Sequence, residues 1–182
     1  MAQGSDVTFD LGVAEWSNGQ RRYFAIAAGA GFDAAVARRA ARSWGRGTVP
    51  YVLAIVATLR AHRCVAVEIE IGATRFVGPI AAAVVANGAH YGGGMKIAPG
   101  ASPTDGELDL VVLGDFGRLE LLRWLPTVYG GTHVRSRKVT LARGRRVRIV
   151  SASPLPTHLD GEPGSDTPVT LDVCPRALRL RV

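Results

Sequence analysis

Two short stretches of the chain place carboxylates on tight glycine turns, and turns of that kind can do chemistry. The first runs Ser102-Pro103-Thr104-Asp105-Gly106-Glu107-Leu108-Asp109, downstream of a loop that spends Gly88, Gly92, Gly93, Gly94 and Gly100 on sharp bends or close backbone approach. An acidic side chain on such a turn, flanked by backbone carbonyls, offers the oxygen donors that a hard cation takes. The same Asp-Gly pair also makes an ordinary hairpin turn, in which glycine supplies only a positive φ. The second stretch, His158-Leu159-Asp160-Gly161-Glu162-Pro163, sets two carboxylates on either side of a glycine. A turn there can aim both at one centre, one as proton acceptor and one as metal anchor, or it can be a turn and nothing more.

Other chemistries lack their residues. The four histidines are scattered, and Cys64 and Cys174 have no metal-ligand spacing to a second cysteine or histidine. No Gly-x-Ser-x-Gly elbow and no Gly-x-x-x-x-Gly-Lys phosphate loop occurs. Gly29-Ala30-Gly31-Phe32-Asp33-Ala34 has the spacing of a dinucleotide-binding turn, but no acid lies between Asp33 and Glu68 to hold a ribose. These glycines read instead as a close strand-to-helix turn, with Asp33 as the helix cap.

The elements that must carry the two turns follow from periodicity. Val7 to Val13 alternates as a half-buried strand does, Ser17 to Gln20 turns the chain, and Arg22 to Ala28 is its expected hairpin partner. A helix follows to about Arg42, broken by Gly45 and Gly47. A second helix, from Pro50 to Leu59, is apolar all round and is expected to be buried or to line an apolar groove. Strands are expected over Val65–Ile71, from Arg75 to Val77 and then in an apolar strand ending at Ala86, and over Leu108–Leu113, Val139–Leu141, Val147–Val150, Val169–Val173 and Leu178–Val182. An amphipathic helix from Arg118 to Val128 is expected to be interrupted near Pro126. The sum is a strand-rich α+β chain, an antiparallel β-sandwich with about three inserted helices.

With 182 residues, 47% hydrophobic and 20% charged, the chain can fill one core. Residues 1–6 are expected to be a disordered or foreign lead-in, and residues 7–182 a single domain. No apolar run is long enough to span a bilayer and no secretory pattern is visible, so a cytoplasmic location is expected. The net charge of +7 attracts polyanions, whether nucleic acid or an anionic membrane face. The basic run Arg143, Arg145, Arg146 and Arg148 has no interleaved aromatics to stack bases, so a solvated strand edge is the better reading and nucleic acid is not the expected partner.

Taken together, Asn87-Gly88, Gly92-Gly93-Gly94-Met95, Ala98-Pro99, Asp105-Gly106-Glu107-Leu108-Asp109 and Asp160-Gly161-Glu162-Pro163 resemble the C-terminal domain of the bacterial diacylglycerol kinase and sphingosine-kinase-like lipid kinase family. Gly31-Phe32-Asp33 and Pro175-Arg176-Ala177-Leu178 fit the same pattern. The resemblance implies an antiparallel β-sandwich of NAD-kinase type, packed against a separate N-terminal nucleotide-binding domain. It implies phosphorylation of the hydroxyl of diacylglycerol or a similar membrane lipid with ATP and Mg²⁺, at the inner membrane face. On this pattern Asp160 is the proton acceptor, Glu162 stands beside it near phosphates and metal, and Asp105 binds a structural magnesium with the carbonyls of Ser102 and Glu107. Thr104 stands where many relatives carry another acid. The Gly-Gly-Asp-Gly-Thr phosphate-binding motif of the family's N-terminal domain does not occur here, so the chain alone is expected to be inactive, and whether it pairs as a homodimer stays open. Two rivals remain: the corresponding half of an NAD-kinase-like enzyme with a soluble substrate, and a non-catalytic basic module for nucleic acid or membrane.

Overall fold

The computed structural model describes residues 6–42 and 48–181, and in them two six-stranded antiparallel sheets pack face to face. Numbered in chain order, the first sheet runs edge to edge through β2 (Arg21–Phe24), β1 (Asp6–Trp16), β12 (Val169–Arg181), β9 (Arg146–Ser151), β4 (Val65–Ile71) and β5 (Thr74–Ile80). The second runs through β11 (Glu162–Pro163), β10 (Thr157–Leu159), β3 (Ala27–Gly31), β6 (Ala82–Ala86), β7 (Leu108–Leu113) and β8 (Val139–Gly144). The sandwich interior is the apolar set Ile69, Ile71, Val147 and Ile149 of the first sheet against Ala83, Val85, Leu108 and Leu110 of the second. Side chains that alternate to the other face of the second sheet, Ala82, Val84, Val111 and Leu113, meet three helices: α1 (Phe32–Ala41), α2 (Thr48–Ala61) and α3 (Arg118–Tyr129). Covered on both faces, β6 is buried throughout, which is why it reads as an unbroken apolar run instead of an alternation.

Several elements depart from what periodicity predicts. Asp6 is not lead-in but the first residue of β1, paired with Arg181. The expected strand from Arg22 to Ala28 is cut at Ala25 and Ile26, so that β2 stays in the first sheet and β3 enters the second. The expected piece from Arg75 to Val77 lies within β5, which runs on to Ile80 in the first sheet, and the apolar strand ending at Ala86 is β6 in the second. The two C-terminal strands are one, because β12 absorbs the irregularity in a bulge at which Arg176 takes φ 54°. Pro126 does not interrupt α3; it lies near the helix end and removes a bond only toward the exposed Leu122.

The second helix is not largely buried: Val52, Leu53 and Val56 face outward, while Ala54 and Thr58 are buried. A short helix will expose apolar side chains on the face that lacks a neighbour, whatever its mean hydropathy. The expected lead-in Met1–Ser5, the helix-breaking Gly45 and Gly47, and Val182 lie outside the described residues. No helix among the described residues is long and apolar enough to cross a membrane.

Candidate active site

The Asp160 turn joins β10 to β11 at the edge of the second sheet, next to the place where β2 and β3 part company. Cutting that strand leaves three amides with no ladder partner, and Asp160 takes them. One carboxylate oxygen, Oδ2, accepts from the Ala25 N–H at 2.7 Å, and Oδ1 accepts from Ile26 and Ala27, each at 2.9 Å. The Asp160 N–H completes the clasp by donating to the Ala27 carbonyl at 2.8 Å. Asp160 is held at φ 48°, a left-handed conformation that an L-residue adopts only when its surroundings determine it. The residue is exposed, and so is Glu162 two positions on. Among the described residues the Glu162 carboxylate has no ion-pair or hydrogen-bond partner.

Behind this turn lies a buried pair that composition does not announce. His158 Nε2 lies 2.9 Å from Asp33 Oδ2, with the imidazole 2% and the carboxylate 16% exposed. Asp33 is therefore not the cap of α1; Gly31 occupies that position, and Asp33 stands in the first turn with Oδ1 accepting from the Ala34 N–H. His158 crosses Gly29 on the neighbouring strand, where a Cβ would fall 2.1 Å from Asp33 Oδ2 and 2.3 Å from His158 Nε2. Glycine is the one residue that leaves room for the pair, so the glycines of the dinucleotide-like spacing serve a packing contact.

The Asp105 turn lies apart from the Asp160 turn and is anchored from below by Asp10, a carboxylate 2% exposed. Asp10 accepts from Gly106 N–H at 2.7 Å and from Arg176 N–H at 2.6 Å, while its own N–H donates to the Pro103 carbonyl at 2.7 Å. Asn87, fully buried at the end of β6, donates from one Nδ2 to the carbonyls of both Asp10 (2.9 Å) and Ala25 (2.7 Å). A continuous polar path thus runs from Gly106 through Asp10, Asn87 and Ala25 to Asp160. The Asn87 Oδ1 has no partner. Asp10 gave no signal in the sequence, since an acid inside an alternating strand reads as solvent-facing; Asn87 did, as a polar residue closing an apolar strand.

At the turn itself, Asp105 Oδ1 accepts from the Glu107 N–H at 3.1 Å, and the Arg143 guanidinium stands 3.5 Å from Asp105, 3.7 Å from Glu107 and 3.1 Å from Asp109. Hydrogen bonding to Asp109 pushes the Arg143 pKa above its ordinary value. No cluster of three or more acidic, histidine or cysteine side chains suited to a metal occurs among the described residues. Asp105 and the Ser102–Thr104 hydroxyl pair, whose oxygens are 3.1 Å apart, are oxygen groups of the kind magnesium takes, which binds through one or two carboxylates and keeps several waters. Arg143 is the cation it must compete with. Of the other arginines, Arg146 pairs with Asp172 at 2.6 Å and Arg148 reaches Glu70 at 4.0 Å, so three of the four arginines of the basic run face acids. Both cysteines are free, and burial pushes the Cys64 thiol up to about 11.

Close to His158 and Asp33, between α3 and the second sheet, opens a narrow apolar slot of about 40 Å³ lined by Phe32, Tyr91, Met95, Trp124 and Val128, with Asp33 the one charged group on its wall. The Tyr91 ring lies parallel to the His158 ring, centroids 6.2 Å apart. The indole N–H of Trp124 is buried without a partner.

Residues 26–182 match the profile of the YegS C-terminal NAD kinase beta sandwich-like domain. A diacylglycerol kinase of Mycobacterium tuberculosis is 31% identical over 182 residues, covering 99% of this chain and 59% of the relative. A diacylglycerol kinase of Bacillus subtilis is 30% identical over 122 residues, 67% of this chain and 40% of the relative. Among solved structures, a diacylglycerol kinase from Bacillus anthracis superposes with a TM-score of 0.62 at 14% identity, covering 96% of this chain and 53% of that one, a likeness of fold. The chain therefore spans little more than half the length of these proteins where the match is fullest.

Proposed function

Because the chain belongs to the YegS C-terminal NAD kinase beta sandwich-like family, we propose that it is the acceptor-substrate half of an ATP- and magnesium-dependent lipid kinase. The observation that carries this reading is the juxtaposition of an exposed two-carboxylate turn with an apolar slot whose one charged wall group, Asp33, is bonded to the residue beneath that turn. An alcohol with an alkyl tail has the matching chemistry: the hydroxyl at the turn, the tail toward the slot. The slot as it stands is too small for an acyl chain, so α3 or the Tyr91–Met95 loop must yield on binding. Val52, Leu53 and Val56 on α2 and Leu119 and Leu122 on α3 are exposed apolar side chains, and Arg60, Arg118 and Arg123 are exposed on the same two helices, a combination suited to an anionic bilayer.

In the transfer, the hydroxyl oxygen bonds the γ-phosphorus, the bond from that phosphorus to the ADP oxygen breaks, and the hydroxyl proton passes to a carboxylate. Asp160 Oδ2 accepts one amide where Oδ1 accepts two, so Oδ2 keeps a lone pair for that proton. The three amides fix its position in advance, which is the larger contribution in a reaction governed by placement and charge. Glu162, exposed and without a hydrogen-bond or ion-pair partner among the described residues, is available to phosphates that a nucleotide-binding domain would present. Asp105, with the carbonyls of Ser102 and Glu107, would hold a structural magnesium, which supplies charge to pin that turn.

Three experiments test the reading. With the chain joined to its nucleotide-binding domain, diacylglycerol in anionic vesicles is phosphorylated and NAD is not; phosphorylation of NAD alone moves the assignment to the soluble-substrate rival. Glu162→Gln lowers kcat by ~10²-fold, the cost of losing a group positioned at the reacting phosphates, with an unchanged melting curve. For the isolated chain, magnesium raises the melting temperature and Asp105→Ala abolishes that rise; a curve indifferent to magnesium removes the structural cation.

A further inference from the structure

His158 is fully engaged at both ring nitrogens. The Gly161 N–H donates to Nδ1 at 3.2 Å, so Nδ1 is bare and the proton must sit on Nε2, from which it is donated to Asp33. Neither nitrogen is left to receive a substrate proton, and with 2% exposure the ring does not reach one. What the ring touches is the glycine between the two carboxylates on one side and the first turn of α1 on the other. Its partner is no less engaged, since Asp33 also accepts from the Ala34 N–H at 2.8 Å. The small residue at Gly29 keeps the space the pair occupies.

We infer that His158 and Asp33 are positioning residues: a buried strut that fixes the Gly161 amide, and with it the directions in which Asp160 and Glu162 point. Asp160 is clasped to Ala25, Ile26 and Ala27, but those bonds locate only the residue before the glycine. Glu162 is paired with Leu159 across the hairpin, and Gly161, at φ 87°, links it to Asp160; by accepting the Gly161 N–H the imidazole restrains that link in addition to the strand pairing. The strut transmits to the turn the position of α1, and therefore of the wall of the apolar slot that Phe32 and Asp33 form. Its catalytic consequence rests on the kinase reading; its geometry does not.

Nitrogen-15 NMR of the imidazole in the isolated chain tests the geometry. The expected spectrum is that of the Nε2–H tautomer, and the Gly161 amide exchanges faster with deuterium in His158→Ala than in the unaltered chain. The opposite tautomer, or equal exchange, overturns the strut whether or not the protein is a kinase. For the chain joined to its nucleotide-binding domain, His158→Ala lowers kcat by ~10²-fold with KM unchanged, the cost of a misplaced reacting group. His158→Asn keeps an acceptor where Nδ1 stood and restores most of kcat; His158→Gln keeps only the donor toward Asp33 and does not. Should His158→Ala fail to fold, Asp33→Asn leaves the ring in place and lowers kcat on its own. Wild-type kcat in these variants overturns the positioning role, whereas failure of the unaltered protein to phosphorylate any lipid overturns the kinase reading and leaves the exchange result to decide the strut.

Discussion

Asp160→Asn loses stability and activity together. In the wild-type chain one carboxylate satisfies three backbone amides at Ala25, Ile26 and Ala27. An asparagine keeps one acceptor oxygen and turns the other position into a donor that meets an N–H head on. Hydrogen bonds to an ionised acceptor contribute about 1.5–3 kcal/mol each, more than neutral ones, so losing one or two costs roughly 2–4 kcal/mol. In a domain of this size that is a drop of about 5–10 °C in melting temperature. The control is Glu162→Gln, whose side chain has no partner among the described residues and which melts as the wild type does. A catalytic base that did nothing structural would give the reverse, an inactive Asp160→Asn with an unchanged melting curve, and that result would remove the clasp.

Asp10→Asn is the second large effect, although residue 10 touches no substrate. The residue is 2% exposed and its carboxylate receives two amides, from Gly106 and Arg176, with no ion-pair partner among the described residues. The amide replacement leaves one buried N–H facing another, and a buried donor without an acceptor costs its full desolvation, about 1–3 kcal/mol, in addition to the bond lost. Urea unfolding is expected to shift by about 3 kcal/mol at constant m, with loss of exchange protection at Gly106 and Arg176. An unshifted midpoint would remove Asp10 as the anchor of the Asp105 turn.

The sandwich and the two acidic turns were legible in the chain because each rests on local information. Alternation marks β1 and β4, an unbroken apolar run marks β6, and Asp-Gly pairs mark the turns. What escaped is information held by partners far away in sequence. Nothing near Arg22 says that its strand must stop at Ala25, since the reason is a carboxylate 135 positions on. Nothing near Asp33 distinguishes a cap from a residue bonded to His158, 125 positions later. Nothing in the apolar composition of α2 says which face will find a neighbour. Asp10 was hidden for a related reason: in a strand the period separates two faces, but at a bulge, such as the register shift between Phe9 and Leu11, the side assignment slips.

The polar path from Gly106 through Asp10, Asn87 and Ala25 to Asp160 makes the two turns inseparable cargo. Grafting the Asp160 hairpin onto a foreign sandwich would carry over its letters but strip away its footing. A chimera that exchanged only one of the two turns between relatives would inherit a mismatched foundation, so the swap that preserves function has to move the whole scaffold of buried polar groups at once.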